Sequence, residues 1–67
     1  MRKFSERLKE LRTEKGLSDA ALGRQIQVSD ATISRWENGQ SDIKSDQLIL
    51  LAKFFNVTTD YLLGLEN

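Results

Sequence analysis

The chain contains no cysteine, no proline and no histidine among its 67 residues. Without cysteine there is no disulfide and no thiolate metal site, and without histidine the common zinc spacings are absent too. The missing histidine also removes the usual general base, and so short a chain leaves little room for a substrate pocket. No enzymatic activity, metal or cofactor is therefore expected. No apolar run approaches the ~20 residues of a membrane span, and Met1-Arg2-Lys3 leads straight into charged sequence instead of a signal-peptide stretch. A soluble, cytoplasmic protein is expected. An excess of one charge sign is lacking as well, since ten basic and ten acidic side chains cancel. That balance alone argues mildly against a nucleic-acid partner. The distribution is nevertheless uneven: residues 1–15 hold six basic and three acidic side chains, 16–40 two and three, and 41–67 two and four. A polarised molecule can present a basic face despite zero net charge.

What is present reads as helix throughout. A chain of this size makes one domain, 1–67, and buries only roughly 60% of its unfolded surface, so it depends on a well-packed core. Five segments carry helical apolar spacing and cap signals. The first, about Arg2–Lys15, aligns Phe4, Leu8 and Leu11 and stops before Gly16. The second runs over Ser18–Gln25 with Ser18 as N-cap, Leu22 and the adjoining Ile26 buried, and Ala20, Ala21 and Gly23 as small residues for close approach. The third spans Ser29–Asn38, capped by Ser29, with Ile33 and Trp36 turned inward and Gly39 closing it. A polar loop, Gln40–Lys44, precedes the fourth, about Ser45–Phe55, built on Leu48, Leu51, Ala52 and Phe55. The fifth, Thr58–Leu63, has Thr58 as its cap, Asp60 at the positive end of its dipole and Gly64 beyond it. No stretch sustains a period of two, so the fold class is all-α, a compact five-helix bundle.

The block GLSDAALGRQIQVSDATISRWENG carries the most information. Its two short helices are joined by a turn too short for them to lie antiparallel. Such an angled pair, residues 18–38, has the form of a helix-turn-helix, whose second helix enters the DNA major groove. Steep crossing requires a small residue on the first helix, supplied by Gly23, and a branched apolar residue on the second, supplied by Ile33. The turn favours a residue that tolerates positive φ; Gln27 stands there at a cost of about 1 kcal/mol. Leu22, Ile26, Val28 and Trp36 fill the remaining inward positions. On spacing alone, two core helices with a tight turn and no DNA role explain the pattern equally well.

Three stretches sharpen the reading: LKELRTEKGLS at 8–18, VSDATISRWENG at 28–39 and LAKFFNVTTDYLLG at 51–64. They resemble the phage-repressor-like helix-turn-helix family, also called Xre-type or lambda-repressor-like, in the right order over nearly the whole chain. The resemblance implies a five-helix bundle whose third helix reads the major groove, and a sequence-specific transcriptional regulator, usually a repressor. It also implies a homodimer on a palindromic double-stranded DNA operator. Tyr61, Leu62, Leu63 and Leu65, with Phe54, offer apolar surface for that dimer at the C-terminal end. Arg12 and Glu37 match a family pair expected to tie the first helix to the end of the third, a structural role through a bidentate guanidinium–carboxylate contact.

The same resemblance selects the DNA-facing residues. Asp30, Ala31, Thr32, Ser34 and Arg35 lie at the reading end of the third helix. Thr32 can bond a base or present its methyl to thymine, Ala31 can pack on that methyl, and Arg35 can reach a phosphate or a guanine. Ser29, Arg24, and Gln40, Ser41 and Lys44 of the loop are phosphate candidates. Two acids depart from the family pattern, which often has Gln at both places. Asp30 can accept from cytosine N4. Asp19 either points sideways or repels phosphate and weakens binding. The loop QSDIK lacks proline and adds Asp42. These departures sustain a second reading, a protein-interaction module of antitoxin-like or anti-repressor type that kept the fold with weak DNA binding.

Overall fold

A computed structural model describes residues 2–66. Five helices follow one another: α1 Arg2–Glu14, α2 Asp19–Ile26, α3 Asp30–Glu37, α4 Ser45–Phe55 and α5 Thr59–Leu63. No strand occurs among the described residues, and the bundle measures 27 × 23 × 21 Å. The fold class is the expected all-α bundle, with helix ends within a residue or two of those read from sequence.

The starts and stops have local chemical causes. Ser18 Oγ accepts from the Ala21 N–H at 3.0 Å, Ser29 Oγ from Thr32 at 3.1 Å and Thr58 Oγ1 from Tyr61 at 2.9 Å. Each cap satisfies a backbone donor that the helix itself leaves unpaired. α4 starts differently: Gln47 Oε1 accepts from the Lys44 N–H at 3.4 Å, and Asp46 Oδ1 takes the Gln47 N–H at 2.9 Å. α1 closes one residue earlier than expected, because Gly16 turns to φ 69° and sends the Leu17 N–H back to the Arg12 carbonyl at 3.1 Å.

The core joins all five helices: Phe4 and Leu8, Leu22 and Ile26, Ile33 and Trp36, Leu51, Ala52 and Phe55, and Leu62. Phe4 meets Trp36 edge to face at 6.4 Å, and Ser5 Oγ donates to the Trp36 carbonyl at 2.5 Å, pinning α1 against α3. Leu11, Val28 and Leu48 are half-buried at the margin of this core.

α2 and α3 share the most extensive helix–helix contact among the described residues. Gln27 sits at φ 63° and ψ 43°, and its N–H, like that of Val28, bonds the Gly23 carbonyl. Gln27 therefore holds a left-handed conformation that glycine adopts without strain. Gln27 is also exposed, so its side chain contributes little packing. Gln27→Gly is expected to raise stability by about 0.5–1 kcal/mol, after the extra chain entropy of glycine is subtracted. Urea denaturation checks this; a lower midpoint for the glycine variant would refute it.

Candidate nucleic-acid interface

α3 is anchored through Ile33 and Trp36, at most 2% exposed. At 100° per residue, the opposite side of the helix carries Ala31, Ser34, Arg35 and Asn38. Ala31, Arg35 and Asn38 are exposed and Ser34 is half-exposed. This outward row is the surface that an angled second helix offers to a groove. Asn38 adds to the row a residue whose place before Gly39 reads, in the sequence, only as a helix stop. It serves as the C-cap and also sends Nδ2 to Ser34 Oγ at 3.3 Å.

Thr32 lies on the flank of the row, half-buried. Its Oγ1 is 2.9 Å from Ser29 Oγ and accepts from Arg35 Nη2 at 3.3 Å. Ser29, Thr32 and Arg35 thus form a chain of polar contacts along one edge of the helix, with the guanidinium leaning back toward the N-terminus. Asp30 folds its Oδ1 onto the Ala31 N–H at 2.8 Å, where the carboxylate complements the helix dipole. Arg24 is exposed on α2, and Gln40, Ser41 and Lys44 are exposed on the loop that follows α3. The Gln40 N–H bonds the Arg35 carbonyl at 2.9 Å, which ties the start of that loop to the last turn of α3.

Behind this face lies an ionic anchor. Arg12 Nε donates to Glu37 Oε2 at 2.6 Å and Nη2 to Oε1 at 3.0 Å, while Nη1 reaches the Leu17 carbonyl at 2.7 Å. The Glu37 side chain is 6% exposed and that of Arg12 14%. The bidentate pair expected between helices one and three is present, and it also grips the α1–α2 turn. A third member joins it. Asp19 Oδ1 lies 2.9 Å from the same Nε, buried, and without a hydrogen directed at it because the single Nε–H goes to Glu37. Asp19 therefore points sideways into the bundle, the first of the two alternatives open at that helix start.

Hydrogen bonding to Glu37 raises the Arg12 pKa above its ordinary value against the opposing effect of burial, with the charges of Glu37 and Asp19 adding to the rise. A cation with a raised pKa contributes its stability below the unfolded-state value and loses it only as pH climbs through the folded-state value. The guanidinium's share of the anchor is thus constant across neutral pH. Among the described residues, no group of three acidic side chains is placed to hold a metal ion, and no helix is long and apolar enough to cross a membrane.

Residues 8–62 match the family model described as helix-turn-helix. The chain is 43% identical over 63 residues to the HTH-type transcriptional activator BcrR of Enterococcus faecalis, covering 94% of this chain and 31% of that protein. It is 34% identical over 60 residues to Repressor protein C2 of Salmonella phage P22, covering 90% of this chain and 28% of that protein. The chain thus spans about a third or less of these relatives. The crystal structure of the P22 c2 repressor in complex with a synthetic operator superposes with a TM-score of 0.88 at 32% identity, covering 94% of this chain and 96% of that one.

Proposed function

From its membership of the helix-turn-helix family, to which this chain belongs, we propose that it is a sequence-specific DNA-binding transcriptional regulator. The observation that carries the proposal is the outward polar row of α3, presented on a fold that matches an operator-bound repressor over nearly its whole length. Ala31, Ser34 and Arg35 face base edges, with Asn38 at the far end of the row. Thr32 aligns Arg35, and the second oxygen of Asp30 is available to cytosine N4. Ser29, Arg24, Gln40, Ser41 and Lys44 hold the phosphates, and these contacts fix register without reading sequence. The relatives include an activator and a repressor by name; repression is the direction proposed here. Two copies on a palindromic operator, in the cytoplasm, complete the reading, since a two-fold dimer matches two half-sites one helical turn apart.

Fluorescence anisotropy on the DNA flanking the gene, against a scrambled duplex and at several salt concentrations, tests the proposal. The expected result is tighter binding to the native duplex. With Arg24 and Lys44 as the cationic side chains on phosphates, the slope of log K against log salt should be about −1.8 for each bound copy. Equal, weak binding to both duplexes would instead favour the protein-interaction module, as the balanced net charge and exposed Asp30 and Asp42 would then suggest.

Arg35→Ala is expected to weaken binding to the native duplex about tenfold while leaving thermal unfolding unchanged. Arg35 is exposed and its side chain hydrogen-bonds Thr32 on its own helix, so a large drop in melting temperature would place it in the fold and not the interface.

A further inference from the structure

α4 is apolar on two opposite sides. Its inner row, Leu48, Leu51, Ala52 and Phe55, closes the core. Its outer row repeats the same spacing two residues earlier: Asp46, Ile49, Leu50 and Lys53, all exposed. Ile49 and Leu50 are 47% and 46% exposed, and with Leu65 they are the large apolar side chains that the bundle leaves most open. A helix that is apolar all round is ordinarily covered all round. Solvation alone does not account for an isoleucine and a leucine side by side on the outside of so small a domain.

The order of the four residues specifies what covers them. The row reads acid, apolar, apolar, base, and it is symmetric about the point between Ile49 and Leu50. If a second α4 lies antiparallel across that point, Ile49 meets Leu50 of the other copy and Leu50 meets its Ile49. Asp46 then faces Lys53, and Lys53 faces Asp46. Every contact is made twice, as a two-fold isologous interface requires. In the parallel arrangement, Asp46 would face Asp46 and Lys53 would face Lys53, so the charges reject it. The spacing i, i+3, i+4, i+7 is the stripe that two helices bury when they pack at a shallow angle.

We infer that this protein self-associates through the outer row of α4, antiparallel, with Ile49 and Leu50 at the centre and Asp46–Lys53 pairs at either end. The site differs from the C-terminal end expected from sequence. There Leu62 is fully buried, Arg7 stacks 4.2 Å over the Tyr61 ring, Phe54 packs on Phe55 with Lys15 above it, and Leu65 alone remains freely exposed. The inference does not rest on DNA binding, and its test is made without DNA.

The chain has no cysteine, so a single introduced thiol is the only one present. Asp46→Cys and Lys53→Cys proteins are mixed and mildly oxidised. The mixture should form a covalent dimer joining position 46 of one copy to position 53 of the other, with the remaining Asp46–Lys53 pair intact. Each variant alone should form no covalent dimer, because two copies of position 46 would lie about seven residues' rise, roughly 10 Å, apart. Sedimentation equilibrium of the unmodified protein should show a dimer growing in from micromolar to millimolar concentration, and Leu50→Lys should weaken it at least about tenfold. Circular dichroism confirms that each variant is folded. A monomer throughout that range overturns the inference. So does cross-linking as efficient in each variant alone as in the mixture, or a dimer indifferent to Leu50→Lys.

Discussion

Arg12→Ala is expected to lower the stability of this domain by about 3–5 kcal/mol, the loss typical of removing one partner from a buried ion pair. The substitution takes away two hydrogen bonds to Glu37 and one to the Leu17 carbonyl. It also leaves Glu37, 6% exposed, and the buried oxygen of Asp19 facing each other with no cation between them. The damage should be graded. Glu37→Ala should cost less, because Asp19 then remains to attract the guanidinium. Asp19→Asn should cost least, since its side chain is 30% exposed and receives no directed hydrogen bond. Urea denaturation of the three variants tests the order. A loss below about 1 kcal/mol for Arg12→Ala would be the value of a solvated surface pair and would refute the anchor.

Asp19 shows how far the sequence could be read. An acid in the first turn of a helix is intelligible from the dipole alone, and next to a DNA-binding end it reads as a repulsion. Its proximity to Arg12 depends on how the turn at Gly16 folds α2 against α1, which no local pattern encodes. The signal was nonetheless present, because a guanidinium bound edge-on to one carboxylate keeps charge to share with another. The caps at Ser18, Ser29 and Thr58 were legible for the opposite reason: each is satisfied within three residues of itself.

The outward row of α3 follows the same division. Ala31, Ser34 and Arg35 could be placed by helical period once Ile33 and Trp36 were taken as buried, and they lie where the period puts them. That the Thr32 hydroxyl is held by Ser29 and Arg35, so that it orders the edge of the helix, depends on rotamers that sequence does not specify. Apolar surface was the hardest property to assign. Leu62 and Leu65 are chemically alike and three residues apart, yet one is fully buried and the other 72% exposed. Which side of a terminal turn meets the core is decided by contacts from α1, Arg7 among them, more than fifty residues away in sequence.

Gly23 is the residue where the fold and the reading face depend on each other most directly. A Cβ built there would stand 2.5 Å from the Val28 carbonyl oxygen and 3.3 Å from the Ser29 carbonyl carbon, both of them backbone. Backbone on the far side of a two-helix corner cannot swing away as a flexible side chain can, so α2 and α3 would have to separate. Gly23→Ala gains up to about 1 kcal/mol of helix propensity. Against that stands the clash, and the net loss is expected to be about 3 kcal/mol, at the upper end of the range for overpacking. The shift also displaces Ser29, the cap of α3, and with it the Ser29–Thr32–Arg35 edge. Gly23→Ala should therefore lower the denaturation midpoint and weaken DNA binding in protein that is still folded, whereas Arg35→Ala affects binding alone. Unchanged stability in Gly23→Ala would mean that the corner has slack, and that the angle between the two helices is set elsewhere.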